Sequence, residues 1–129
     1  MKTAGIFQEL WPTTSDDPLP SIFEYVDQQP LPDAGRVVGY LESGHVLIDM
    51  VDTAKDVFSN GERIINGSSL LTDGVWLWRR DLQYYVRQHN VRLPEEFLAD
   101  IRSSQYEVPE LDLTTRRRCA EEAKALLFA

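Results

Sequence analysis

The chain has one cysteine, two histidines and no long apolar run, and each scarcity removes a class of function. Cys119 alone cannot close an internal disulfide, a usage that fits a reducing cytosol rather than an oxidising secreted setting. His45 and His89 stand apart, in no H-E-x-x-H pattern and beside no cysteine, so zinc has little to coordinate and no metal site is expected. Stretches such as Val46-Leu47-Ile48 are far shorter than the roughly 20 residues needed to cross a bilayer. Met1 to Ile6 lacks the apolar core and small-residue cleavage site of a signal peptide. A cytoplasmic protein with no membrane association is the expectation.

Catalytic signatures are missing too. No Gly-x-Ser-x-Gly elbow occurs, and Ser68 and Ser69, beside Asn66-Gly67, read as turn hydroxyls bonded to local backbone rather than as nucleophiles. Cys119 lies among Ala and Leu on the inner side of its helix, where a thiol acts as a small apolar group. His45 reads as a turn residue after Gly44, and His89 as the hydrogen-bonded end of a helical stripe. The basic run Arg116-Arg117-Arg118 is a single solvated turn, too little for nucleic acid in an acidic chain. Neither catalytic residues nor a cofactor are expected.

What is present suits one folded domain. In 129 residues, 43% are apolar and 26% charged, enough to bury a core without disulfides or metals. The net charge of −8 is uneven. Residues 1 to 78 hold 4 Lys and Arg against 12 Asp and Glu, whereas residues 79 to 129 hold 9 of each. Such an acidic half keeps a protein dispersed, and it also attracts basic partners.

The local patterns predict an α+β single domain: a small antiparallel sheet of about three to four strands packed with about five helices. Residues 12 to 20, with three prolines, read as an exposed arm or loop. Ser21 with Glu24 has the form of a capping box for a short helix that Pro30 stops. Asp33 caps a second helix with Val37, Tyr40 and Leu41 on its apolar face and Gly44 as its left-handed C-cap. Residues 46 to 51 read as a largely buried strand. Asn60-Gly61 and Asn66-Gly67 bracket a short strand, Arg63-Ile64-Ile65, and Asp73-Gly74 turns a hairpin between residues 69–71 and 75–78. Helices follow along the Leu82, Tyr85, Val86, His89 stripe, from Pro94, and from about Thr114 to Leu127.

Two groups are candidates for binding a partner. Asp49, Asp52 and Asp56 would share a face, and could bind a hard cation, only if the chain were helical there. The strand reading makes them, with Glu42 and Glu62, an acidic edge for a partner's Lys or Arg. Trp76 and Trp78 alternate onto one strand face, either as core or as a partly exposed aromatic strip.

The segment from Ser68 to Val86, with Leu-Leu-Thr-Asp-Gly, an aromatic strand and Asp-Leu-x-Tyr-Tyr-Val, followed by Leu93-Pro94-Glu95-Glu96-Phe97-Leu98, resembles small bacterial immunity proteins of polymorphic or contact-dependent toxin systems. The likeness spans residues 68 to 98, mostly turn and core positions, and transfers no functional residue. It implies a non-enzymatic cytosolic protein that neutralises one cognate toxin domain, and the acidity would suit a basic, nuclease-type toxin. An accessory or scaffold domain, or a small enzyme with a dispersed site, are the alternatives.

Overall fold

A computed structural model describes residues 1–11, 18–59 and 62–128. Most of the expected arm at 12–20 and the Asn60-Gly61 turn lie outside the described residues. The fold is α+β. Strands β1 (Lys2–Thr3), β2 (His45–Ile48), β5 (Leu70–Thr72) and β6 (Trp76–Arg79) form one sheet in the order β1-β6-β5-β2. Strands β3 (Thr53–Lys55) and β4 (Arg63–Ile65) form a separate antiparallel pair. Helices α1 (Ala34–Glu42), α2 (Leu82–His89), α3 (Glu95–Ser103) and α4 (Leu113–Leu127) complete it.

The five expected helices resolve into these four and a single 3-10 turn at Ile22–Tyr25, too short and too close to Pro30 to wind into an α-helix. The main sheet is also not wholly antiparallel. The N-terminal β1, with no sequence signal of its own, pairs parallel to β6, Lys2 opposite Trp76.

Alternation along β5 and β6 sorts the core into two layers. Leu71, Trp76 and Trp78 face α1, α2 and α3, packing on Val37, Leu41, Leu82, Val86, Phe97 and Ile101. Leu70 and Leu77 face the other way, onto Ala123 of α4 with Leu47, Ile48 and Leu127 around them. A third cluster, Phe7, Ile22, Ile64, Tyr85 and Val91, lies beneath the β3–β4 hairpin. The Asp73-Gly74 turn forms as expected: Gly74 takes φ +101°, and Asp73 Oδ1 accepts from the Val75 and Trp76 amides at 2.9 and 2.8 Å.

Four local expectations are corrected. Glu24 does not close a capping box; Glu9, twelve residues before Ser21, accepts from the Ile22 amide at 2.7 Å and from Ser21 Oγ at 2.6 Å. Asp33 makes no cap bond, because its carboxylate takes Arg102 Nε (2.9 Å), Arg102 Nη2 (3.0 Å) and Tyr106 Oη (2.7 Å) instead. Those donors hold the Asp33 carboxyl well below the usual range. Gly44 is not a left-handed cap; a Cβ there would sit 2.5 Å from Trp78 Cζ2, so the constraint is close approach of the indole. Finally, the aliphatic run at 46–51 is not a buried strand. β2 stops at Ile48, forms the sheet's outer edge with an irregular register at Val46/Ile48, and is only partly covered.

Candidate protein-binding surface

The β3–β4 hairpin forms a sheet of its own and is held to the body by the packing of Ala54 and Ile64, by Tyr85 and by one buried carboxylate. Register pairs Ala54 with Ile64, both facing the cluster beneath, and pairs Thr53 with Ile65 and Lys55 with Arg63 on the outer face. After Lys55 the chain turns in, and Asp56 becomes almost wholly buried, at 3% exposure. Its Oδ1 accepts from the Phe58 amide at 2.8 Å; its Oδ2 accepts from Tyr84 Oη and His89 Nε2, each at 2.7 Å. A carboxylate acceptor requires the proton on Nε2 of His89. Tyr85 Oη adds a bond to the Lys55 carbonyl (3.1 Å), and Phe58 stacks on the His89 ring at 4.4 Å.

Burial alone would raise the Asp56 carboxyl, but the bonds from His89, Tyr84 and the Phe58 amide outweigh it and hold it below its ordinary value. A depressed carboxyl contributes stability that is fully present above the unfolded value, about pH 4, and is lost as pH falls through the folded one. Asp56→Asn should therefore cost about 1–3 kcal/mol at neutral pH, since its amide NH2 meets donors on one side. Denaturant titrations of both proteins from pH 7 to pH 3 should show that gap narrowing as acid is added. A gap that is absent at pH 7, or that widens with acid, would show that Asp56 does not anchor the hairpin.

Asp56 is thus an internal anchor, and the expectation that it belongs to an exposed edge is corrected: beside the local Phe58 amide, the carboxylate is drawn in by Tyr84 and His89, two distant donors that no local pattern reveals. Glu62 lies on the same side of the extended ladder, where the Asp56 amide donates to the Glu62 carbonyl at 3.3 Å, but it is exposed. Asp49 and Asp52 are exposed at the root of the hairpin. Asp49 accepts from Ser69 Oγ at 3.2 Å and Asp52 from Ser68 Oγ, so these hydroxyls reach carboxylates 20 and 16 residues away rather than the local backbone expected of them. Glu42 is exposed at the end of α1, 3.7 Å from Arg87. The acidic residues therefore have separate places: Glu42 ends α1, Asp49 and Asp52 lie at the hairpin root, Glu62 is exposed on β4's approach, and Asp56 is buried.

Trp76 and Trp78 are not a surface strip. They are 4% and 0% exposed, and their indole N–H groups are used internally, by Asp100 at 2.8 Å and by the Leu41 carbonyl at 3.1 Å. Helices cover this face of the sheet from three directions, which the two-residue period could not reveal.

Instead, the exposed apolar side chains here are Val51, 93% exposed just before the hairpin, and Ile65, 73% exposed on its outer face. The alternation of Arg63-Ile64-Ile65 carried this signal, since a strand that turns Ile64 inward must turn its neighbours outward. His45 begins β2 rather than capping a turn; its Nε2 donates to the Pro109 carbonyl at 2.8 Å, leaving Nδ1 to accept from Arg116 Nη2 at 2.9 Å.

Among the described residues no three His, Cys, Asp or Glu side chains converge as metal ligands, and no helix is long and apolar enough to cross a membrane. No protein-family model matches the chain, and neither a curated protein nor a solved structure matches it.

Proposed function

We propose that the chain is a protein-binding domain of the immunity type, which neutralises a basic toxin domain by docking on it through the outer face of the β3–β4 hairpin. The observation that carries this reading is the pair Val51 and Ile65, both largely exposed, beside Asp49 and Asp52 at the hairpin root. Apolar groups within a charged rim are the composition of a protein interface. The carboxylates and the net charge of −8 supply the attraction for a basic partner and speed encounter. The resemblance over residues 68 to 98 points the same way, although those residues build the core rather than the surface.

The test takes as its probe a toxin domain encoded beside this protein's gene, and a neighbourhood that holds none counts against the reading. Ile65→Asp and Val51→Asp should each weaken binding by about 30-fold. Asp49→Asn with Asp52→Asn should slow association several-fold at low salt, with little effect on dissociation. Wild-type protein that neither binds nor protects against that toxin would refute the reading.

A further inference from the structure

The outer face of the hairpin carries a charge arrangement at odds with the rest of its half of the chain. Lys55 and Arg63 are direct cross-strand partners, so their side chains leave the same face side by side. Both are exposed, and among the described residues neither makes an ion pair or a side-chain hydrogen bond. The other two positions on this face, Thr53 and Ile65, offer no carboxylate. The nearest acids along the chain, Asp56 and Glu62, follow on the opposite side of the ladder, and Asp56 is committed to His89 and Tyr84. Like charges directly opposed in a two-stranded pair oppose its folding. In a half-chain with 12 acids against 4 bases, two of those four bases are set against each other and left without a counterion.

We infer that Lys55 and Arg63 together receive an aspartate or glutamate side chain of the protein partner, an inference that rests on the binding reading above. A carboxylate between them relieves their repulsion, and the Arg63 guanidinium can take it in two parallel hydrogen bonds. Asp49, Asp52 and the overall charge oppose a polyanion here, so one carboxylate on an otherwise basic surface is the group that fits. The pair then acts as a specificity element: a uniformly basic surface that satisfies Asp49 and Asp52 is repelled by Lys55 and Arg63.

The experiment compares wild type, Lys55→Ala/Arg63→Ala and Lys55→Glu/Arg63→Glu for affinity to the neighbouring toxin domain and for thermal unfolding. The alanine pair should bind about tenfold more weakly or worse, and the reversed pair more weakly still. Neither the fold nor the melting temperature of the alanine pair should decline. Reversing one toxin Asp or Glu to Lys should restore binding to the Glu pair. Affinity within twofold of wild type for both variants, while Ile65→Asp still weakens binding, would overturn this inference and leave the binding reading standing. No binding by wild type would overturn both. Wild-type binding of inorganic phosphate or a short oligonucleotide, lost in the alanine pair, would overturn the carboxylate assignment.

Discussion

Arg79→Met is expected to destabilise the protein by about 3–5 kcal/mol at neutral pH, because it strands a buried carboxylate. Asp81 is fully buried at the start of α2, and among the described residues its carboxylate's side-chain partner is Arg79, whose Nε and Nη2 donate to the two oxygens at 3.1 and 2.8 Å. The third nitrogen, Nη1, donates to the Leu10 carbonyl and ties the N-terminal segment to the end of β6. Burial pushes the Asp81 carboxyl up to about 6, the Arg79 guanidinium opposing without cancelling it.

The sign of the pH dependence follows. A carboxyl raised above its unfolded value binds its proton more tightly when folded, so stability falls as pH rises from about 4 to 6. Without Arg79 the carboxyl moves higher still, and the defect should shrink steadily as the variant is taken from pH 7 to pH 5. Arg79→Met/Asp81→Leu should recover most of the loss, since an apolar pair of similar volume can replace a buried ion pair. Urea titrations at several pH values measure all three. A defect independent of pH, or a double variant no better than the single, would mean that the Leu10 tether rather than the ion pair carries the effect.

Trp78→Ala should also cost about 3–5 kcal/mol, the range for emptying a large aromatic site in a core. Trp78 has no exposed surface, packs with Tyr40 and Phe97 at ring-centroid distances of 6.2 and 5.3 Å, and holds the end of α1 through its bond to the Leu41 carbonyl. Gly44 is moulded to the same indole, so the cavity cannot collapse without moving the turn between α1 and β2. At a temperature where the variant is still folded, its affinity for a partner should match wild type. Weaker binding without a loss of stability would overturn the core role in favour of the aromatic-strip alternative.

Where local chemistry carried its own signal, the sequence was read correctly. Asp73-Gly74 turns the hairpin, Leu82, Tyr85 and Val86 line α2, and Asn90 ends that helix in the left-handed conformation at φ 53°. The last helix runs Leu113–Leu127, within a residue of its expected start, although the Asp112 cap that begins it, accepting from the Thr115 amide at 2.7 Å, was not foreseen. The misreadings share one cause: a distant partner captured a group whose neighbours suggested a local use. Asp33 answers to Arg102 and Tyr106, Gly44 to Trp78, and Asp56 to Tyr84 and His89, while Ser21 keeps its cap on the Phe23 amide and takes Glu9 in place of Glu24.

The surface was hardest to read. Five acidic residues in the interval 42–62 suggest one negative face, yet a carboxylate's place is decided by the nearest donor, and that donor can be dozens of residues away. Composition and pattern alone determined that this acidic chain builds an α+β fold with Val37, Tyr40, Leu41, Leu82, Tyr85 and Val86 turned inward, because periodicity and turn chemistry act over a few residues. Only the tertiary structure decided that the tryptophans are core, that Asp56 is an anchor, and that Ile65, Lys55 and Arg63 share the exposed face. Those outcomes depend on which elements pack together and how two short strands fall into register, and neither is encoded within either strand alone.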